Sequence, residues 1–199
     1  KPDIAETFNR AMTGISAMAI EAICAVYDFG AFKKVADIGG GHGRMLGTIL
    51  NKNAHLQGVL FDLPSVVAGA DKVLSELEVM PRCEILPGDF FGDISIKDVD
   101  LFMMKSIIHD WPDSDAIKIL KNVRATMNRD AKLILCEIVV PDINVSGFGK
   151  LLDIEMMVQA GGKERTKEEY SELFTSAGLK LTRIIPSAGP GSLVESVPV

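Results

Sequence analysis

Residues 35–43 read Val35-Ala36-Asp37-Ile38-Gly39-Gly40-Gly41-His42-Gly43. An apolar start with an acid near its end runs into a glycine-rich turn, the pattern of a strand that opens a nucleotide site at a helix N-terminus. Glycine spacing separates two classes of such sites. Dinucleotide enzymes use G-x-G-x-x-G, where backbone amides approach a pyrophosphate. Here the spacing is G-x-G-x-G. Counted from Gly39, the last required glycine falls on Arg44, and counted from Gly41 it falls on Leu46. Neither fits. Asp37, two residues before Gly39, suits a ligand with a positive amino group better than one carrying phosphates. S-adenosylmethionine (SAM), with an ammonium and a sulfonium, is such a ligand and is the favoured reading. A tight turn that needs glycine for its backbone alone is the plainer alternative.

Outward from this turn, strand-like and helical patterns alternate. Residues 4–29 carry apolar side chains at helical spacing, from Phe8 and Met12 through Ile15, Met18 and Ile23 to Val26. A strand is expected at 35–38, then a helix over 43–53. A strand at 56–61 precedes a helix that Pro64 can start. Strands follow at 83–86 and 99–104, then a helix over 113–127. The run 132–140 reads as the longest strand. Helices are expected over 148–159 and 167–177, the second with Thr166 and Glu169 as a capping box. Runs 179–186 and 192–197 close the chain as a pair of strands. Such alternation predicts an α/β fold, a doubly wound, mostly parallel Rossmann-like sheet with helices on both faces and right-handed crossovers.

The 199 residues suffice for one domain with a full core. A hydrophobic content of 47% and a mean hydropathy of +0.22 exclude a disordered chain. No apolar run reaches the ~20 residues of a membrane helix, and the start Lys1-Pro2-Asp3 does not read as a signal peptide. Three cysteines without a C-x-x-C pattern suggest reduced thiols in a cytoplasmic setting. A net charge of -6 without a basic cluster argues against nucleic acid. A small molecule is the expected partner, with no membrane.

Ligands of such sheets bind beyond the carboxyl ends of the strands, so functional residues are sought there. Asp62, before Leu63-Pro64, lies 23 residues past Gly39 (62 minus 39). A carboxylate there can accept from both hydroxyls of a ribose; a helix N-terminal acid is the alternative. In Gly88-Asp89-Phe90-Phe91, Asp89 can accept from an adenine amino group and Phe90 can pack on the ring, or the pair forms an ordinary Gly-Asp turn. Lys105-Ser106-Ile107-Ile108-His109-Asp110-Trp111-Pro112 follows the next strand. His109 is placed where a general base is expected, with an intrinsic pKa near neutrality. Asp110, Asp113 and Asp115 read most simply as helix N-terminal acids. His42 and His55 receive no chemistry. Glu137 and Glu164 are candidates to orient an imidazole and stabilise its cation, although a bare glutamate is more often a surface or ion-pair group. Scattered histidines and the absence of H-x-x-x-H or cysteine spacing suggest no metal.

With these residues in view, the chain resembles the SAM-dependent O-methyltransferases of the caffeate/flavonoid and acetylserotonin type over essentially its whole length. The resemblance rests on Phe8-Asn9-Arg10-Ala11-Met12, residues 37–43, Phe61-Asp62-Leu63-Pro64, Gly88-Asp89-Phe90, Lys105 with His109-Asp110-Trp111, and Gly162-Lys163-Glu164-Arg165-Thr166. It implies a class I methyltransferase sheet with a closing antiparallel strand. It implies SAM as cofactor, S-adenosylhomocysteine as product, and methyl transfer to a hydroxyl of a small, aromatic or natural-product acceptor. His109 then inherits the general-base role, flanked by Glu137 and Glu164. Cofactor contacts are implied for Ser16, Gly39, Gly41, Asp62, Leu63, Asp89, Phe90 and Lys105. Acceptor contacts are implied for Phe8, Met12, Asp110 and Met156. From spacing alone, Met12, Met156 and Met157 read as core.

Three departures bear on this reading. Ser106 stands where the plant enzymes often carry a bulky residue, and the stretch before Gly161 is one residue shorter. The family also carries a helical domain before this one, which forms the homodimer and covers the acceptor site. Residues 1–199 are therefore expected to be one SAM-binding catalytic domain with 1–30 as a leading helical segment: a fragment, a truncated form or a natural short form that binds SAM better than it turns over. Two other readings stand beside methylation. One is a SAM-binding natural-product enzyme of the same fold that does not methylate; the other is a non-catalytic, truncated binding domain.

Overall fold

The computed structural model describes residues 17–141, 162–189 and 191–199. A leading helix α1 runs through 17–26. Then come β1 (Lys34–Ile38), α2 (Arg44–Lys52), β2 (Gln57–Asp62), α3 (Pro64–Val67), α4 (Ala70–Glu76), β3 (Cys83–Pro87) and β4 (Leu101–Lys105). They are followed by α5 (Asp113–Thr126), β5 (Lys132–Glu137), β6 (Val139–Val140), β7 (Arg165–Thr166), α6 (Lys167–Ser176), β8 (Leu179–Pro186) and β9 (Ser192–Pro198). The main sheet has the order β3-β2-β1-β4-β5-β9-β8. β1 to β5 are mutually parallel, and β9 alone runs antiparallel, between β5 and β8. The expected doubly wound sheet with an antiparallel closing strand is what forms.

The central strands are apolar at nearly every position because both faces are covered. In β4, Phe102 and Met104 face the core shared with Ile119, Leu120 and Val123 of α5 and Phe174 of α6. Leu101 and Met103 face the other core, with Leu46 and Ile49 of α2 and Ile20 and Ile23 of α1. Truncating a side chain such as the fully buried Phe102 to alanine costs ~3–5 kcal/mol in lost transfer energy and cavity formation. Strand order reverses between β1 and β4, the point beyond whose carboxyl ends ligands of such sheets bind.

Several expected boundaries are corrected. The leading helix stops at 26 rather than 29; a 3-10 turn, Phe29–Ala31, follows, with the Asp28 side chain accepting from the Gly30 amide. The Pro64 helix is two short helices, broken at Ala68-Gly69, where His42 Nε2 packs 2.9 Å from the position a Gly69 Cβ would take. The fourth strand begins at Leu101 rather than 99. The run 132–140 is not one strand, and β8 is longer. The main-sheet pairing of β5 ends with Lys105↔Cys136 on one side and Glu137↔Ser192 on the other. Beyond Ile138 the chain finds a new partner, and β6 pairs in parallel with β7 (Val139↔Arg165). The expected helix over 148–159 lies outside the described residues.

Candidate active site

Glycine does different work at each point of the first turn. Gly39, Gly41 and Gly43 have φ of 71°, 62° and 78°, the left-handed region that favours glycine. Gly43 caps α2. A Cβ on Gly40 would lie 2.6–2.7 Å from the Asp37 carboxyl, and one on Gly39 would meet Ile107 at 2.8 Å and Phe90 at 3.6 Å. A Cβ on Gly41 would meet nothing within 4 Å. Open space therefore begins above Gly41.

Asp62 bounds that space. Its Oδ2 accepts the Gly41 amide at 2.8 Å and its Oδ1 accepts the Leu63 amide at 2.7 Å. Each oxygen keeps a lone pair for a ligand hydroxyl, and Leu63 is 45% exposed beside it. Asp89 is exposed and closes its own turn by accepting the Phe91 amide at 2.9 Å. The Phe90 ring is half-buried, edge-on to Trp111 at 6.1 Å, and its carbonyl accepts from Asn122. Lys105 ends β4, half-buried. Asp37 is buried beneath Gly40 instead of facing the open space. Burial pushes its carboxyl up to about 7, against the pull of Lys105.

The second cluster forms where β4 ends. Ser106 has φ 55°, a left-handed turn in a residue with a side chain, of the kind that costs about 1–3 kcal/mol and persists only when its surroundings hold it. Ser106 N–H donates to Cys136 O at 3.1 Å. Glu137 Oε1 accepts the amides of Ile107 and Ile108 at 3.0 and 2.9 Å. The single 3-10 turn Ile108–Asp110 then presents His109. Its Nδ1 lies 3.1 Å from Glu164 Oε1 and 3.3 Å from Glu137 Oε2, and its Nε2 lies 3.4 Å from Asp110 Oδ1. Both glutamates are fully enclosed and the histidine side chain is 16% exposed. Two carboxylates facing Nδ1 favour a proton there, which in the neutral ring leaves the Nε2 lone pair open.

The surroundings move His109 away from its intrinsic pKa near neutrality. Burial pulls the imidazole down, but the hydrogen bond to Glu164 and the charges of Glu137, Glu164 and Asp110 outweigh it and lift His109 to about 9. Burial pushes Glu137 up to about 7, against the His109 charge and its two amide donors. The cluster therefore holds its proton through neutral pH. The same three side chains bring a nitrogen and two carboxylate oxygens within 4.8 Å, a metal-compatible set that local spacing did not reveal. A cation there would displace the Nδ1 proton, which Glu164 Oε1 accepts at 3.1 Å; Glu137 Oε2 lies 3.3 Å from the same nitrogen without a hydrogen bond.

The fold thus brings Gly39, Gly41, Asp62, Leu63, Asp89, Phe90 and Lys105 to the strand ends, with His109, Asp110, Glu137 and Glu164 beside them. Ser16, Phe8, Met12 and Met156 lie outside the described residues. Sequence reasoning missed two neighbours of His109. A Cβ on Gly162 would fall 1.8 Å from His109 O, and Arg165 is completely buried among backbone carbonyls of the same turn. The only signal was their place in the run that holds Glu164.

An O-methyltransferase domain model matches residues 1–180. The phenazine O-methyltransferase of Lysobacter antibioticus is 39% identical over 198 residues, covering 100% of this chain and 58% of its own. The mitomycin biosynthesis 6-O-methyltransferase of Streptomyces lavendulae is 34% identical over 195 residues, covering 98% and 55%. Among solved structures, the SAH-bound form of the calicheamicin-biosynthesis methyltransferase CalO1 superposes with a TM-score of 0.89 at 34% identity, covering 100% of this chain and 59% of that one. The chain spans little more than half the length of the curated relatives it matches.

Proposed function

The chain belongs to the O-methyltransferase domain family, and from that premise we propose that it binds SAM and transfers the methyl group to a hydroxyl of a small, aromatic or natural-product acceptor. The observation that carries this reading is the convergence of two clusters at one sheet edge. An open cradle at Gly41 and Asp62 lies beside a buried imidazole whose Nδ1 is held by two carboxylates.

The residues fit the cofactor. The open space above Gly41 admits a ligand, Asp62 offers both oxygens to a ribose, and Phe90 with Asp89 offers a ring and an acceptor to an adenine. When bound, SAM supplies an electrophilic methyl carbon on a sulfonium. The protein supplies alignment and a base. His109 Nε2 takes the acceptor proton as the oxygen attacks, while Glu164 holds Nδ1–H and the charges of Glu164 and Glu137 stabilise the imidazolium. A base lifted to about 9 is matched to a phenol of pKa ~10, so the proton transfer is nearly level in energy. Its neutral form is the minor one at pH 7. Asp110 Oδ1 lies 3.4 Å from Nε2, which supports its reading as an acceptor contact.

The test is incubation with methyl-labelled SAM and a panel of phenols, comparing wild type with His109→Gln. Label moves to a phenolic oxygen in the wild type and turnover falls steeply in the variant, with SAM affinity retained. Unchanged turnover in His109→Gln would overturn the general-base assignment. SAM binding without label transfer to any phenol would favour a non-methylating enzyme or a binding domain.

A further inference from the structure

We propose that Arg165 is a positioning residue for His109: its enclosed guanidinium holds the backbone carbonyls on either side of the imidazole and so sets where the ring stands against its carboxylates. The inference rests on the general-base reading above and adds a residue to that site.

A guanidinium has five N–H donors in a rigid fork, and in this protein all five are engaged. Arg165 Nη1 donates to Ile108 O at 3.0 Å and to Lys163 O at 3.3 Å; Nη2 donates to Trp111 O at 2.8 Å. Nε and Nη2 donate to Asp113 Oδ1 at 3.0 and 2.8 Å. Ile108 and Trp111 flank the 3-10 turn that carries His109, and Lys163 precedes Glu164. One side chain thus ties the base-bearing turn to the segment before β7 that supplies its carboxylate.

The neighbours of Arg165 tighten the same grip. Gly162 packs on the His109–Asp110 peptide so closely that a Cβ cannot fit, and Lys163 N–H donates to His109 O at 2.9 Å. Glu164 then meets Nδ1, and β7 begins at Arg165. Such a clasp is needed because the turn is a single 3-10 turn following a left-handed Ser106, and such a turn does not hold itself.

Burial for stability alone explains the residue poorly. Apolar groups fill such a site at least as favourably as a buried ion pair, and the partner Asp113 is half exposed. The fork geometry explains it better, since a lysine presents its donors from one point and cannot reach carbonyls in three directions.

The experiment is an NMR titration of the His109 ring in wild type, Arg165→Lys and Asp113→Ala, with turnover and SAM affinity measured on the same samples. The charged groups facing the ring are Glu137 on β5, Glu164 before β7 and Asp110 on its own turn, and all three are left in place. Arg165→Lys keeps the cation but loses the fork, so the His109 midpoint falls by about one unit or more toward the ordinary imidazole value. Turnover falls about tenfold or more, and SAM affinity changes little. Asp113→Ala removes one anchor from a half-exposed position and moves the midpoint the same way by less. It is the deciding variant where Arg165→Lys does not fold. A folded variant with the wild-type midpoint overturns the proposal. The titration does not depend on the reaction: full turnover in His109→Gln would remove the general base, while a shifted midpoint in Arg165→Lys would still show the clasp.

Discussion

Glu137 Oε2 lies 3.3 Å from His109 Nδ1, while Oε1 of the same carboxylate takes the amide hydrogens of Ile107 and Ile108. One side chain thus sets both the seat and the charge of the imidazole. In Glu137→Gln the amide oxygen can keep the two backbone donors, but its NH2 group faces Nδ1–H, donor against donor. The expected result is a His109 pKa below that of the wild type and a turnover lower by roughly tenfold or more, since one pKa unit is ~1.4 kcal/mol. SAM affinity by calorimetry is expected to stay near the wild-type value. An NMR titration with a kinetic assay checks this.

The raised His109 pKa gives stability and activity opposite pH dependences. Its folded value, about 9, lies above the ordinary 6.5, so the protonated ring stabilises the fold. That contribution is complete below 6.5 and is lost as pH rises through 9. Asp37 and Glu137, raised by burial to about 7, lose theirs in the same direction but at lower pH. A fall in Tm on the order of a few degrees is expected between pH ~7.5 and 9, where turnover rises as Nε2 deprotonates. Thermal melts paired with initial rates across this range read both. A Tm that climbs toward pH 9 would contradict the assignment.

Asp62 shapes the glycine turn and faces the open space at once. Asp62→Ala removes the acceptor for a ribose and releases the Gly41 amide. SAM affinity is expected to fall about tenfold or more, each tenfold being ~1.4 kcal/mol. Asp62→Asn, which keeps one acceptor oxygen, is expected to lie between. Titration calorimetry with SAM decides, and equal affinities in the three proteins would place the ribose elsewhere.

Gly41 and Gly162 make a contrasting pair. Alanine at Gly41 meets no atom within 4 Å, so Gly41→Ala costs only the ~1–2 kcal/mol of a left-handed residue, while SAM binding falls because the methyl enters the ligand space. Alanine at Gly162 would overlap His109 O, so Gly162→Ala displaces the base. Turnover is expected to fall by about a hundredfold with SAM affinity retained. Affinity and rate measured side by side separate the two sites.

The cofactor edge was largely legible in the sequence. Gly39, Gly41 and Asp89 follow strands, and Asp62 ends one, whose apolar runs are plain, and residues close in sequence stay close in space. The acid–base cluster was legible only in part. As bare residues Glu137 and Glu164 read as surface or ion-pair glutamates, and only strand-end position and the family resemblance raise them; the pairing of β6 with β7 is what draws residue 164 beside the end of β5. The run 132–140 reads as one strand because it is apolar apart from Lys132 and Glu137, whereas the break at Ile138 arises where neighbouring strands run out. Composition carries no record of a partner's length.

Local order alone determined the doubly wound alternation of strand and helix, the glycine spacing that turned the reading from a dinucleotide toward SAM, and the placement of His109 after the fourth strand. Periodicity, turn chemistry and short-range spacing act within a few residues, and the sequence displays them directly. Only the tertiary structure decided that the carboxylates around His109 raise its pKa, that Asp37 is sunk beneath Gly40, and that Arg165 closes over the turn that carries His109. Those outcomes depend on burial and on charges brought together from positions 109, 137 and 164. Desolvation and Coulomb energies follow distance in space, which the chain acquires only when it folds.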